Sequence, residues 1–307
     1  RLGPLILVGI GLGLILRWTP LSWFGGALVA ATFGIIFGAA VVSIRDDDFG
    51  NLQGIIPAIA SGACSDGETG TASTSKGSVG SSEEFALDVS LSCGELDISR
   101  AATTDWSLRA RHDAEDVPVI EETERDGTTG ALRISQDDTD DLAFIGQQRK
   151  SVWAVEVPAR AELRMDTTVN AVKGTIDTGT GPVARLAGTF NAADMTVDMT
   201  GATTTQPARV DLTLNASDAR VLLPNGDVDA DIALNASSVA VCVPADAALQ
   251  VDHSAVLSGD DLGSSGLTEE GQGRWVSEGF ADADTRVTLS VSATVSSLSI
   301  ERPEVCS

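Results

Sequence analysis

Four copies of one pattern between residues 163 and 244 decide the fold. They read LRMDTTVNAVKGTID (163–177), ARLAGTFNAADMTVDM (184–199), ARVDLTLNASDARVLLP (208–224) and VDADIALNASSVAVCVP (228–244). Each copy contains an Asn-Ala pair, and the spacings between consecutive pairs are 21, 24 and 20 residues. Self-similarity at this period is typical of repeat architectures.

Two further copies carry serine in place of the asparagine. ALDVSLSCGELDIS (86–99) contains Ser92-Cys93, and RVTLSVSATVSSLSI (286–300) contains Ser292-Ala293. We therefore predict six structural corner positions, one in each copy: Asn170, Asn191, Asn215, Asn235, Ser92 and Ser292.

Apolar and polar residues alternate on both sides of each corner, which is the signature of half-buried strands. In the third copy the apolar set is Val210, Leu212, Leu214, Ala219, Val221 and Leu223. A unit of two short strands cannot bury its own apolar face, whereas stacked units share a continuous core. The pattern predicts an all-β domain over residues 85–303, a stacked-strand β-solenoid of units of about 20 residues.

The corner asparagines have two interpretations. Asn215 and Asn235 each begin an Asn-Ala-Ser sequence, which is an acceptor site for glycosylation. Asn170 and Asn191 occupy the same position without such a sequence. We therefore expect a structural role, in which asparagine adopts a left-handed backbone and its amide bonds to the backbone of the next unit.

The composition restricts both the core and the partners. The chain has 44 acidic and 20 basic side chains, a net charge of −24, which disfavours binding to nucleic acid. Tyr is absent and Phe with Trp make only 4%, so the core must come from aliphatic residues. The repeat is interrupted at residues 100–160 and 250–285, which we predict to be edge hairpins or loops.

Residues 1–45 contain no Asp or Glu, and two apolar runs cover residues 2–16 and 21–44. Since a spanning helix needs about 20 apolar residues, we predict two transmembrane helices in a lipid bilayer. Small residues recur every fourth position at Gly26, Ala30, Gly34 and Gly38. This stripe favours packing of the two helices as a hairpin, with oligomerisation as the alternative. The charges near the two runs leave the membrane topology open.

Residues 46–84 are rich in Gly, Ser, Thr and Asp, so we predict a flexible linker with too little apolar surface to fold. The predicted organisation is therefore two transmembrane helices (1–45), a linker (46–84) and a β-repeat domain (85–303).

No motif in the chain predicts a catalytic, cofactor-binding or metal-binding residue. We expect His112 and His253 to be solvated surface residues. The sequence does not form a calcium loop at Asp227, Asp229 and Asp231, because glycine and glutamate are missing at the required positions. We interpret these aspartates as the solvent-exposed face of a strand. A cluster at residues 137–141 leaves a weak divalent-cation site open as the alternative to a solvated loop.

The four cysteines form no C-x-x-C pair, which disfavours structural zinc. We expect Cys93 to be a buried thiol and Cys242 to point outward. A disulfide between Cys64 and Cys306 would join the linker to the C-terminal tail, and it would require an oxidising compartment.

The arrangement resembles a known family. The segment PLILVGIGLGLILRWTPLSWFGGALVAATFGIIFG (4–38) resembles the transmembrane region of LiaF-type envelope-stress regulators. SLSCGELDIS, VWAVEVPARAELRMDTTVNAVKGTID, the LNASDARVLLP-type repeats and LSVSATVSSLSI resemble the toast-rack domain that often follows it. The resemblance implies a stacked-strand domain held at the membrane, without enzymatic activity and without cofactors, and a PspC-type module upstream of Arg1.

Two functional hypotheses follow. The first is a non-enzymatic regulator or sensor of bacterial cell-envelope stress, with its β domain on the extracytoplasmic side of the cell membrane. Its expected partners are a membrane sensor kinase or another envelope-stress protein, or a second copy in a homo-oligomer. The alternative is a cell-surface adhesin or scaffold that presents a β-solenoid face. A hydrolase with an unrecognised site is a third, less favoured hypothesis.

Overall fold

The computed structural model describes residues 64–65, 70–78, 82–113, 116–125, 129–136, 148–204, 206–256, 259–260 and 262–302. The predicted hairpin with Gly26, Ala30, Gly34 and Gly38 lies outside these residues. No helix among them combines the length and the hydropathy that a membrane span requires. Apart from two short 3-10 helices, their regular structure consists of strands, so the all-β prediction is confirmed for this part of the chain.

The strands of the described residues are numbered in chain order. They are β1 (Cys64–Ser65), β2 (Thr71–Ser78), β3 (Glu84–Leu91), β4 (Gly94–Ala101), β5 (Asp105–His112), β6 (Pro118–Arg125), β7 (Thr129–Gln136), β8 (Gln148–Arg149), β9 (Ser151–Pro158), β10 (Glu162–Asn170), β11 (Val172–Asp177), β12 (Val183–Asn191), β13 (Asp194–Asp198), β14 (Ala208–Asn215), β15 (Asp218–Leu222), β16 (Val228–Asn235), β17 (Ser238–Cys242), β18 (Ala248–Val256), β19 (Gly259–Asp260), β20 (Thr268–Gly271), β21 (Arg274–Val276), β22 (Arg286–Thr294) and β23 (Ser297–Glu301). The 3-10 helices are Leu262–Ser265 and Phe280–Asp282.

Two large sheets contain nearly all of these strands. Sheet A has the order β20-β21-β18-β22-β16-β14-β12-β10-β3-β7-β6, and sheet B has the order β19-β23-β17-β15-β13-β11-β4-β9-β5-β2. A two-residue parallel pair joins β1 to β8. Each predicted copy therefore gives its first strand to sheet A and its second strand to sheet B.

The core lies between the two sheets and follows the predicted alternation. Neighbouring copies are parallel and in register, as where Leu212 lies between Gly188 and Ile232. In the third copy the six predicted inward residues, Val210, Leu212, Leu214, Ala219, Val221 and Leu223, are at most 3% exposed. Trp153, Phe85 and Phe190 are the largest fully buried side chains in an otherwise aliphatic core.

The order of units in the stack differs from their order in the chain. The first copy, β3 with β4, lies between the unit of β7 and β9 and the unit of β10 and β11. At the other end β22 pairs with both β16 and β18, so the last copy is inserted before β18. Because the copies share the same alternation and corner pattern, their sequence does not indicate this order.

Antiparallel strands cover the ends of the stack, as predicted for the interruptions. β6 pairs with β7 at one edge of sheet A, and β20 and β21 form a hairpin at the other edge. The linker prediction is wrong for residues 71–78, which form β2 and pair with β5 along its whole length. Backbone hydrogen bonds to an exposed strand edge need no apolar side chains, and composition therefore did not reveal this strand.

The corners use the residue after each asparagine as the left-handed residue. Ala171, Ala192, Ala216 and Ala236 have φ between 49° and 51°. The prediction that asparagine takes this conformation is wrong, because each asparagine is still the last residue of an extended strand. The N–H of each of these alanines donates to the backbone carbonyl of the next copy's last strand residue, as from Ala171 to Asn191 at 2.9 Å.

The asparagine side chains form a continuous ladder outside the corners. Asn191 Nδ2 donates to Asn170 Oδ1 at 2.7 Å, Asn215 Nδ2 to Asn191 Oδ1 at 2.8 Å, and Asn235 Nδ2 to Asn215 Oδ1 at 2.9 Å. The amides therefore bond to the next unit, as predicted, but to its side chain rather than its backbone. Such ladders recur where identical residues stack on parallel strands.

A second ladder of buried hydroxyls lies inside the corners, at Ser217, Ser237 and Ser296. Each hydroxyl donates to the backbone carbonyl two residues earlier, at 2.8–3.0 Å. Each also accepts a backbone N–H from the neighbouring copy, at 3.1–3.2 Å. The serines of both Asn-Ala-Ser sequences are therefore structural and buried.

The last copy corrects one predicted corner. Ser292 pairs with Ala233 inside β22, and the corner falls two residues later, where Thr294 lies opposite Asn235 and Val295 has φ 50°. The alternation continues through Ala293, which lies opposite the buried Leu234 and extends the strand. Ser92 directly follows β3, as predicted for a corner, and its N–H donates to Gln136 Oε1 at 3.1 Å.

The cysteines pair differently from the prediction. Cys64 is bonded to Cys93 with a Cα–Cα distance of 5.9 Å, so the expected Cys64–Cys306 bridge is wrong. The short pair between β1 and β8 is formed next to the corner that follows β3, which brings the two cysteines within bonding distance. Cys93 is buried as expected, but as a disulfide. Cys242 lies between the inward Val241 and Val243 and contacts Glu301, as expected for an outward position, but it is disulfide-bonded and only 5% exposed.

Candidate functional site

The outward side chains of sheet A from β7 to β18, hereafter the polar face, form rows that run across the strands. In-register parallel strands place equivalent residues about 4.8 Å apart, so a repeated residue type becomes a continuous row. One row consists almost entirely of hydroxyls: Ser90, Thr168, Thr189, Thr213, Ala233, Ser292 and Ser254. This row lies beside the asparagine ladder.

The next row of the polar face is acidic. Its members, in order across the sheet, are Asp88, Asp166, Ala187, Asp211, Asp231, Ser290 and Asp252. Arginines lie at both ends of the row, where Arg133 is 3.7 Å from Asp88 and Arg274 is 2.8 Å from Asp252. The hydrogen bond from Arg274 lowers the pKa of Asp252 below its ordinary value.

A row of arginines follows on the same strands. Arg164 is 3.0 Å from Glu84, and Arg185 and Arg209 each place Nε 3.0 Å from a carboxylate oxygen of Asp211. The hydrogen bond to Asp211 raises the pKa of Arg209. Exposed pairs of this kind contribute little to stability, but they fix the positions of the charges on the face.

A groove crosses the polar face through these rows. Its wider part has a volume of about 490 Å³ and its narrower part about 390 Å³, and both parts are lined by Asp166 and Arg185. The groove lies where alanines occupy outward positions of sheet A beside larger side chains: Ala86 and Ala131 between Thr123 and Arg164, and Ala187 between Asp166 and Asp211. Its size falls in the range of sites that bind small molecules or single side chains.

Two carboxylates stand side by side at the wider part of the groove. Asp88 and Asp166 are opposite each other in the register of β3 and β10. Burial raises the pKa of Asp88, Arg133 opposes the shift, and the negative charge of Asp166 adds to it. The pair is therefore a locus of incompletely neutralised negative charge.

Sheet B carries a second, smaller acidic pair on its outward side. Asp194 and Asp218 are opposite each other in β13 and β15, and Lys173 is 3.3 Å from Asp194. Burial, followed by the charge of Asp194, raises the pKa of Asp218. Neither of the two described parts of the groove includes these residues.

His112 is buried, contrary to the prediction of a surface histidine. It is 1% exposed, Nε2 lies 3.1 Å from Ser73 Oγ, and Nδ1 lies 2.6 Å from the backbone oxygen of Asp113. Since Nδ1 must donate to that carbonyl, Nε2 accepts from the serine in the neutral ring. A Ser–His contact occurs in acyl-transfer enzymes, but both ring nitrogens are engaged here and neither part of the groove includes the pair, so we interpret it as structural.

The predicted acidic strand is confirmed, with one refinement. Asp229 and Asp231 are exposed in β16, whereas Asp227 precedes the strand and accepts the N–H of Arg286 at 2.8 Å. Within the described ranges, no group of three His, Cys, Asp or Glu side chains could hold a metal ion. The acidic cluster at 137–141 lies outside those ranges.

The wider part of the groove was not anticipated from the sequence. Asp88, Asp166 and Arg133 come from three strands that are distant in the chain, and only the register of the sheet brings them together. The available signal was the presence of alanine at outward positions of the alternation, at Ala86 and Ala187.

Comparison with known proteins gives one family match. Residues 65–220 match the family model described as the N-terminal domain of toast_rack, DUF2154. No curated protein matches the chain.

Several solved structures are similar to this chain at low identity. A proposed cell adhesion protein from Clostridium sporogenes is 13% identical with a TM-score of 0.46, over 76% of this chain and 99% of that chain. A proposed adhesin from Bacteroides fragilis is 10% identical with a TM-score of 0.29, over 75% and 97%. A proposed lipid binding protein from Parabacteroides distasonis is 11% identical with a TM-score of 0.27, over 76% and 97%. Likeness at these values carries no inference about function.

Proposed function

We propose that this chain, which belongs to the toast-rack family through residues 65–220, is a membrane-anchored, non-enzymatic regulator or sensor of bacterial cell-envelope stress. It acts through protein–protein contacts made by the polar face. The observation that carries this proposal is the regular arrangement of that face, where rows of hydroxyls, carboxylates and arginines are held on in-register strands above a rigid core. Fixed charge rows favour recognition of a complementary surface.

The disulfides support an extracytoplasmic position for the β domain. Cys64 is bonded to Cys93, and Cys242 is also disulfide-bonded. Structural disulfides persist in oxidising compartments and are rare in the cytosol. Together with the apolar runs of residues 1–45, this favours a domain held at the outer side of the cell membrane.

Deletion of the gene tests the regulatory role. We expect an envelope-stress reporter to respond differently to cell-wall antibiotics in the deletion strain, and the wild-type gene to restore the response. An unchanged response would exclude this function. Partners that co-purify with the full chain in detergent, such as a sensor kinase or a second copy, then identify the contact.

Labelling of intact cells tests the position of the domain. Thr175 is exposed on sheet B, and a Thr175→Cys variant adds a free thiol to a chain whose described cysteines are all disulfide-bonded. We expect a membrane-impermeant maleimide to label this variant in intact cells as strongly as in permeabilised cells. Labelling only after permeabilisation would contradict the extracytoplasmic position.

The second candidate is a cell-surface adhesin or scaffold, for which the stack would serve as a β-solenoid. The hydroxyl row crosses seven strands, and a long surface with a repeated arrangement of side chains suits repetitive ligands. A deletion strain with a normal stress response and reduced attachment to surfaces would favour this function over the first.

A further inference from the structure

The wider part of the groove, hereafter the pit, has an apolar floor. Ala86 and Ala131 lie opposite each other in β3 and β7, and their methyl groups face outward. Thr123 of β6 stands on one side and Arg164 of β10 on the other. A floor of this kind can pack an aliphatic chain, and its volume of about 490 Å³ leaves room for a whole side chain.

The charges around the pit do not balance. Three carboxylates line it, those of Asp88, Glu121 and Asp166. Two of its arginines also contact carboxylates outside the pit, Arg164 with Glu84 and Arg185 with Asp211, both at 3.0 Å. Arg209 shares Asp211, so these five carboxylates outnumber the four arginines by one. The fourth arginine is Arg133, whose Nε is 3.7 Å from Asp88.

The two aspartates of the pit repel each other. They stand on adjacent strands at the same register position, and Asp166 forms no ion pair with the described residues. Burial and the charge of Asp166 raise the pKa of Asp88, although Arg133 lowers it. The raised pKa reflects the same imbalance. A cationic group between the two carboxylates would relieve this repulsion.

We propose that the pit receives a lysine or arginine side chain from an extended, basic segment of a partner protein. The aliphatic stem packs on Ala86 and Ala131, and the cationic head lies between Asp88 and Asp166. Long basic side chains combine an apolar stem with a charged end in this way. The net charge of −24 attracts a basic segment toward the face. The inference rests on the proposed function and specifies the chemistry of the partner.

Binding of a defined peptide to the full chain in detergent tests the pit. The probe is a fluorescein-labelled nonapeptide of alternating Lys and Ala, with anisotropy measured at physiological salt. Asp166→Asn removes one charge of the pit, and Ala86→Leu fills its floor without changing any charge. We expect each to weaken Kd about tenfold, Asp166→Asn because about one charge-assisted contact is lost and Ala86→Leu because the floor is closed to the aliphatic stem.

The matched control is Asp97→Asn, which makes the same charge change at an exposed position on sheet B. We expect it to alter Kd less than about twofold, since a remote surface charge is largely screened at this salt. If Asp97→Asn and Asp166→Asn weaken peptide binding equally and Ala86→Leu does not change it, the attraction is diffuse and the proposed binding in the pit is wrong. Calcium binding by calorimetry that Asp166→Asn abolishes, with no effect of either pit variant on the peptide, would replace the proposal with a cation site.

The same variants separate this inference from the proposed function. Thermal unfolding first establishes that they are folded; Ala131→Leu replaces Ala86→Leu if the latter is not. If pit variants no longer bind the peptide but still restore a normal stress response, the proposed binding of a basic side chain in the pit stands and the stress role is unsupported. If pit variants bind the peptide normally, the proposed binding of a basic side chain in the pit is wrong, whatever the stress response.

Discussion

Val295 is the β-branched residue at positive φ among the described residues, with φ 50° and a side chain that is 60% exposed. The equivalent positions in four other copies carry alanine. A left-handed backbone costs a non-glycine residue about 1–2 kcal/mol, and β-branching adds to this cost. Since the exposed side chain contributes little packing, the strain has no local compensation.

Val295→Gly is therefore expected to raise the free energy of unfolding by about 1 kcal/mol. The measurement is thermal unfolding of the full chain in detergent, followed by the circular dichroism of the β-sheets. The control is Val256→Gly, which replaces another exposed valine, at the end of β18, and should lower stability by about 0.5–1 kcal/mol. A destabilisation by both variants would contradict the strain argument.

Asp218 and Asp252 are expected to show opposite pH dependence. Burial and Asp194 raise the pKa of Asp218, so its contribution to stability is present below pH 3.8 and is lost as the pH rises through the folded pKa. Asp218→Asn should therefore raise Tm at pH 7 and have little effect below pH 3.8. Arg274 lowers the pKa of Asp252, so its contribution is present above pH 3.8 and lost in acid. Asp252→Asn should lower Tm at pH 7, and equal signs for the two variants would refute the assignment.

At the scale of elements, the asparagine ladder ties each unit to the next. Asn215 donates to Asn191 and accepts from Asn235, whereas Asn170, at the end of the ladder, only accepts from Asn191. With about 1 kcal/mol for each net hydrogen bond, Asn215→Ala should cost about 2 kcal/mol and Asn170→Ala about 1 kcal/mol. Urea unfolding of both variants measures the ratio. Equal costs would mean that the ladder bonds are not the source of stability.

The stack is expected to tolerate removal of one complete unit. Deletion of residues 208–227 removes β14 and β15 and leaves Asn191 and Asn235 separated by 24 residues, the present spacing from Asn191 to Asn215. Because each unit contacts mainly its neighbours, the shortened chain should unfold cooperatively with a lower Tm. Deletion of residues 208–217 is the control, since it removes one corner and breaks the register. Loss of cooperative unfolding in both would show that the units are not interchangeable.

At the scale of the whole molecule, electrostatic repulsion is expected to outweigh the surface ion pairs. The chain has 44 acidic against 20 basic groups, and exposed ion pairs contribute at most about 1 kcal/mol each. Salt screens both, because the Debye length falls from about 30 Å at 0.01 M to about 3 Å at 1 M. Tm at pH 7 should therefore rise with NaCl. Near the pI of about 4.2 the rise should disappear, and a fall of Tm with salt at pH 7 would indicate that the ion pairs dominate.

The amount that could be predicted differed between the fold and the site. The alternation around Val210, Leu212 and Leu214 predicts which face is buried, since a period of two is a local property of the chain. The pit could not be predicted in the same way. Its carboxylates and its alanine floor come from β3, β7 and β10, and they meet only after the register of sheet A is set.

The sequence alone determined the all-β fold of the described residues, the inward residues of each copy and five of the six corners, because alternation and small corner residues act within a few residues of one another. The tertiary structure decided the order of the units, the insertion of β22 next to β18, the pairing of β2 with β5 and the Cys64–Cys93 disulfide. Copies that share one alternation and one corner pattern offer similar edges to one another. The choice among those edges therefore depends on the long-range packing that the whole chain completes.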